Sequence, residues 1–168
     1  GSIGTFTNGG SISYGSSTIS LDGSLTIGTL NNAQGASSSA LKFSAFERTL
    51  PTNYNIIINS ASDFGKLDWA GPSGSTTFGI YSGSTVAAGR YTSVITGLSA
   101  GSFTGARSGT YGSYSWVLDN VSGTTWDLVL SLAGPSAADT QSSLARLASN
   151  LRGSFNSASL ISNFSNTY

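Results

Sequence analysis

Thr18-Ile19-Ser20-Leu21-Asp22-Gly23-Ser24-Leu25-Thr26-Ile27 is the stretch whose reading decides the fold. Two alternating runs meet at Asp22-Gly23, and Asp-Gly between such runs is the signal of a two-residue β-hairpin. Similar spacing also marks the corners of a parallel solenoid, in which each coil buries a few aliphatic residues. A hairpin leads to an antiparallel sheet, whereas a corner leads to a stack of coils, and spacing alone leaves both open. The surrounding text, from Ile3 to Leu30, repeats short bursts such as Ile12-Ser13-Tyr14 between glycines. Bursts this short, joined by corners this small, favour the solenoid, and residues 1–60 are expected to form its last coils.

Working outward, Asn31 to Ser39 reads as a small-residue loop, and Ala40 to Phe46 as a half-buried strand with Leu41, Phe43 and Phe46 inward. Pro51 precedes Tyr54-Asn55-Ile56-Ile57-Ile58, where three successive isoleucines predict burial on both faces. From Asp63 onward the predicted strands lengthen and aromatic residues concentrate. Over residues 61–133 the candidate core is Leu67, Trp69, Phe78, Tyr91, Val94, Trp116, Leu118, Trp126 and Leu128. Aromatic side chains bury more area than the upstream aliphatic ones. This half is therefore expected to close the open end of a stack, whose strand edges would otherwise invite other chains.

Gly134-Pro135 ends the β-region, and the apolar period then becomes helical. A helix is predicted from about Ala137 to at least Arg152, with Leu144, Leu147, Ala148, Leu151 and Phe155 on one stripe. The spacing of Ala158, Ile161, Phe164 and Tyr168 could carry that stripe onward through residues 134–168. Some 30 helical residues would span roughly 45 Å, more than a bilayer core of about 30 Å. The segment is too polar to face lipid, but its small side chains suit a water-lined pore. Arg146 and Arg152, the charges that follow Asp139, are read either as a solvated face or as contacts with a barrel interior.

Composition narrows the function classes. The 168 residues are 38% hydrophobic and 8% charged, with 22 glycines. The low charge and the 3 Trp, 7 Tyr and 8 Phe argue against intrinsic disorder. Lys plus Arg equals Asp plus Glu at 7 each, so there is no net field for nucleic acid. The chain has no Cys and no His, which excludes disulfides and thiolate metal sites and removes the commonest general base. No serine has a histidine partner. Asp68 and Asp127 are a candidate carboxylate pair only if their strands meet across a cleft. The acids otherwise read as turn and solubility residues, and neither enzymatic activity nor a cofactor is expected.

Several phrases, taken in order, resemble the C-terminal passenger region of the bacterial autotransporter family. Asp63-Phe64-Gly65-Lys66-Leu67, Ala88 to Ile95, Gly101-Ser102-Phe103-Thr104-Gly105, Tyr114 to Leu118 and Thr125 to Val129 are similar to its β-helix cap. Asp139 to Asn156 is similar to the linker helix that threads the family's translocator barrel. The resemblance implies a right-handed parallel β-helix ending in an autochaperone-like cap, at the bacterial cell surface. It also implies a partner, the family's own outer-membrane β-barrel, which these residues do not include. The expected function is structural: templating passenger folding during secretion, and linking an adhesin-like stalk to its barrel. Self-association through the helix stripe is a further expectation. The alternative is a glycan-binding adhesin module stacking sugars on Tyr54, Tyr81, Tyr111 and Tyr114. Ice binding by threonine arrays ranks below these, because Thr5-Phe6-Thr7 alone has the Thr-x-Thr form.

Overall fold

A computed structural model of the protein describes residues 1–12, 25–43, 49–134 and 144–151. The chain is mainly β, with strands β1 (Ser2–Asn8), β2 (Thr26–Asn32), β3 (Leu41–Phe43), β4 (Asn53–Ile56) and β5 (Leu67–Trp69). They are followed by β6 (Thr77–Ile80), β7 (Gly89–Thr96), β8 (Ser108–Tyr111), β9 (Tyr114–Ser122) and β10 (Thr125–Leu132). Residues 1–133 form one compact unit and residues 134–168 another. In the second, residues 144–151 form helix α1.

Parallel pairing decides between hairpin and coil. β1-β2-β4-β6 form one sheet, and every ladder in it is parallel. Its register advances in steps of 24 residues, from Thr5 to Thr29 to Asn53 to Thr77. β3, β5 and β7 pair in parallel across the second sheet, from Leu41 to Leu67 to Ile95. The chain thus winds between two sheets in a solenoid-like arrangement of about three turns. Asp22-Gly23 itself lies outside the described residues, but Thr26-Ile27 pairs in parallel with Ser2-Ile3.

One column of the first sheet faces inward: Phe6, Leu30, Tyr54 and Phe78 occupy a single register line. Leu30 and Tyr54 are fully buried, whereas Phe6, on the edge strand, is half-buried. Opposite them, Phe43 and Trp69 are register partners whose rings stack at 4.2 Å. Ile56, Ile57 and Ile58 are all buried, as their run predicts, because the chain turns between the two sheets there.

Pairing changes sense at β7. Its one side continues the parallel ladder to β5, and its other side is antiparallel to β10, followed by β9 and β8. Parallel pairing therefore runs well past residue 61. Leu67, Trp69, Phe78, Tyr91, Val94, Trp116, Leu118, Trp126 and Leu128 are each no more than 7% exposed and belong to one cluster. Ring contacts cross from the coils to the antiparallel strands: Phe64 meets Tyr91 edge-on at 5.1 Å and Phe78 meets Trp116 at 5.4 Å. Gly97, at φ 90, lets the chain leave β7 directly against the Trp69 carbonyl, where a Cβ would collide with backbone.

One expectation needs correcting. Asn31 and Asn32 are not loop residues but the last two positions of β2, both buried. Side-chain hydrogen bonds make this affordable, as buried amides require. Of the predicted Ala40–Phe46 strand, Leu41–Phe43 is observed with Leu41 and Phe43 inward, and Phe46 lies outside the described residues.

Candidate functional site

Two features of the first sheet stand out chemically: a buried amide network and the edge strand it supports. Asn32 is fully buried; its Nδ2 donates to the Gln34 and Lys66 carbonyls at 2.9 and 3.1 Å. Its Oδ1 accepts from the Gln34 backbone N–H at 3.1 Å and from Asn8 Nδ2 at 3.2 Å. Asn8 also donates to Gln34 Oε1 at 3.0 Å, and that oxygen accepts from the Ile12 N–H at 2.7 Å. Three coils are tied together at one corner, and Gly65 makes room for the approach: a Cβ there would overlap the Asn32 carbonyl.

On the outer face a second ladder runs along the stack. Asn31 Nδ2 donates to Thr7 Oγ1 at 3.0 Å, and Asn55 Nδ2 donates to Asn31 Oδ1 at 2.9 Å. Thr5-Phe6-Thr7, Thr29-Leu30-Asn31, Asn53-Tyr54-Asn55 and Thr77-Phe78-Gly79 therefore form successive rungs of one pattern. The network leaves no identical repeat in the sequence, because Thr7, Asn31 and Asn55 share polarity but not identity and Gly79 ends the column. A search for a polar-apolar-polar triplet at a fixed period is the signal that finds it.

The two ends of the sheet differ. Among the described residues β1 is an edge strand; it carries no charged residue and no proline, and Ile3, Phe6 and nearby Leu25 are half-buried. Beyond β6, by contrast, Thr76 bridges Phe103 in parallel, with the Thr76 N–H donating to the Ser102 carbonyl at 2.9 Å. The Thr104 N–H in turn donates to the Thr76 carbonyl at 2.9 Å.

The described acids are engaged structurally. Asp127, 6% exposed, accepts from the Ser93 N–H at 2.7 Å and from Arg90 at 2.9 Å; Arg90 also donates to Asp119 at 2.8 Å. Those bonds, Asp127 first, hold the Arg90 guanidinium above its ordinary value. They lock the irregularity between β7 and β10, where Ser93 adopts φ 51. Asp68 instead pairs with Lys42 at 3.4 Å, so Asp68 and Asp127 are bound to different cations. Asp63 accepts from Ser37 and Asn59, and these bonds, Ser37 first, lower its carboxyl below the usual range. Asp22, Glu47 and Asp139 lie outside the described residues. Among the described residues no group of three metal-ligating acids forms. A polar cleft of about 160 Å³ lies at the network's corner, lined by residues such as Gln34, Ser37, Asn59 and Asp63.

The tyrosine platform loses a member: Tyr54 is fully buried and cannot stack on a sugar. Burial raises its phenol strongly, opposed in part by the Asn32 side chain, yet no hydrogen bond of good geometry reaches the hydroxyl. Tyr81, Tyr111 and Tyr114 are half-buried, and the Tyr111 hydroxyl lies within reach of the Ser82 and Ser84 carbonyls at 2.9 and 2.8 Å.

Helix α1 carries Leu144, Leu147 and Leu151 at 60, 56 and 52% exposure, and Arg146 is exposed as well. Phe155 and Arg152 lie outside the described residues. No described helix is long and apolar enough to cross a membrane. No protein-family model, curated protein or solved structure matches this chain.

Proposed function

We propose that this chain is a structural and folding module, the membrane-proximal end of an autotransporter passenger at the bacterial cell surface. In this reading the coils are a right-handed β-helix and the antiparallel strands β7 to β10 are its autochaperone-like cap. Residues 134–168 link the cap to an outer-membrane β-barrel carried elsewhere in the protein. No catalytic role is assigned to it. Folding of the cap outside the cell supplies a template on which upstream coils stack, and the burial gained there opposes retreat through the pore.

The observation that carries the reading is the change of pairing at β7. A stack whose edge among the described residues is β1 is continued at its other end by antiparallel strands packed ring to ring against the last coils. Trp126 anchors that end: it is 2% exposed, its Nε1 donates to the Leu98 carbonyl at 2.7 Å, and its ring meets Phe103 at 4.9 Å.

Pulse-labelled hydrogen exchange during refolding of the full chain tests the order of events. Amides of β9 and β10 are expected to gain protection before those of β1 and β2. Protection of β1–β2 first would overturn the template reading. In the cellular arm, the chain joined to an outer-membrane barrel should reach the surface less well with Trp126→Ala, and undiminished display would count against a role in secretion.

A further inference from the structure

We infer that the β1 edge is a register-selective docking strand whose partner is a further parallel coil with a polar-apolar-polar-Asn motif opposite Thr5 to Asn8. The inference deepens the folding-template reading and rests on it for the direction in which the stack grows.

The edge has what strand addition needs. β1 is seven residues long and is held in register with β2 along its length, from Ser2↔Thr26 to Asn8↔Asn32. It lacks the lysines, prolines and inward charges that proteins use to blunt an edge, and residues 1–12 and 25–40 contain no charged side chain among those described. Phe6 and Ile3 are half-buried, where their counterparts one coil on, Leu30 and Ile27, are buried. Apolar surface is therefore left for a neighbour to cover.

Side-chain ladders set the selectivity. Thr7 Oγ1 accepts from Asn31 and keeps its own proton to donate onward. An asparagine or threonine opposite Thr7 in a parallel strand extends that ladder. Asn8 is 5% exposed and spends both amide hydrogens on Asn32 and Gln34. A neighbour opposite it must bring its own amide, as Asn32 does. A one-residue slip exchanges the two faces, setting polar side chains over Phe6 and apolar ones over Thr7.

A second copy of this chain fits less well. Two copies meeting at β1 by a two-fold axis arrive antiparallel, which does not extend the Thr7–Asn31–Asn55 ladder in register. Approach by the copy's other end meets Phe103 and Thr104 at Thr76.

The test places a copy of residues 25–48 directly ahead of Gly1, so that the copied Asn31 and Asn32 fall opposite Thr7 and Asn8. A second version adds one glycine at the junction, and a third carries Asn32→Leu in the copied segment. Hydrogen exchange reads the β1 amides that β2 leaves free, with light scattering alongside. The first version is expected to slow their exchange about tenfold or more relative to the original chain, and the other two to protect them far less. Equal protection by all three, or protection by none, overturns the inference. So does a dimer of the original chain that disappears when the coil is added. Surface display with Trp126→Ala is independent of this edge, so protection without a display defect would sink the secretion reading and leave the docking strand standing.

Discussion

Replacing Asn32 separates the amide network from ordinary core packing. In Asn32→Leu all four of its hydrogen bonds disappear, but their partners do not suffer equally. The Gln34 carbonyl still accepts from the Lys66 N–H at 2.8 Å, and the Lys66 carbonyl from the Leu41 N–H at 2.8 Å. Asn8 keeps its bond to Gln34 Oε1. The buried Gln34 N–H alone is stranded, at a cost of about 1–3 kcal/mol. Weakening the other three sites adds about 1–2 kcal/mol, and burying the leucine methyls returns about 1–2 kcal/mol. The net loss is on the order of 2 kcal/mol. Asn32→Asp keeps the acceptor for Gln34 but turns a carboxylate oxygen toward two carbonyls. That leaves a buried, unpaired charge at about 3–5 kcal/mol. Urea denaturation at pH 7 should therefore rank the original chain above the leucine variant and the leucine variant above the aspartate one. Burial raises the introduced carboxyl, so the aspartate variant recovers part of its loss as pH falls and the group takes a proton. A leucine variant within 0.5 kcal/mol of the original, or an aspartate variant as stable as it at pH 7, would refute the network as a determinant of coil registration.

Five other variants probe different terms. Trp126→Ala should destabilise by about 3–5 kcal/mol in denaturant, and Trp126→Phe by about 1–2 kcal/mol through the lost bond to Leu98. A loss below 1 kcal/mol for the alanine variant would remove Trp126 as an anchor. Tyr54→Phe deletes a hydroxyl without a partner and should leave stability equal or higher by up to about 1 kcal/mol. Because burial raises the Tyr54 phenol above its ordinary value of 10.0, its contribution is fully present below that pH and is lost as pH rises beyond it. The phenylalanine variant should accordingly resist alkaline unfolding better, and identical alkaline midpoints would contradict this. Ser93→Gly relieves a left-handed backbone at φ 51 and should stabilise by roughly 0.5–1 kcal/mol, whereas a loss would show that the Ser93 side chain matters. Serine at Leu144, Leu147 and Leu151 together should abolish any concentration-dependent self-association of the full chain by light scattering. Unchanged association would place that contact away from the α1 stripe.

The sequence was most legible where burial is apolar. The Ile56-Ile57-Ile58 run and the nine aromatic and aliphatic core residues are buried because bulk and hydrophobicity alone place them. Legibility failed where polar residues do the organising. Asn31 and Asn32 come after the apolar alternation of Leu25 to Leu30 and precede a Gly/Ser-rich segment, the usual setting of a loop amide, and nothing local reveals that residues 24 positions away complete their bonding. Asp-Gly is ambiguous for a related reason: the dipeptide suits a hairpin turn or a solenoid corner, and what separates the two readings is the parallel pairing of Thr26-Ile27 with Ser2-Ile3, a non-local fact. Tyr54 reads as a candidate sugar platform because tyrosine tolerates both environments, while its register line, shared with Leu30 and Phe78, places it inside.

The two kinds of contact divide the labour along the stack. Rings and aliphatic side chains supply non-directional stabilisation and tolerate a shifted register, because one apolar side chain over another remains favourable after small displacements. Amide ladders contribute little net energy per bond but penalise every misplaced rung with a stranded donor or acceptor. In this chain the amides sit at β1, β2, β4 and the corner after β2, whereas the tryptophans sit at β5, β9 and β10. The end made of rings is thus suited to hold together without help, and the end made of amides is suited to discriminate what is laid upon it. That distribution is what the proposed folding template calls for, with protection at β9 and β10 preceding the ordering of β1.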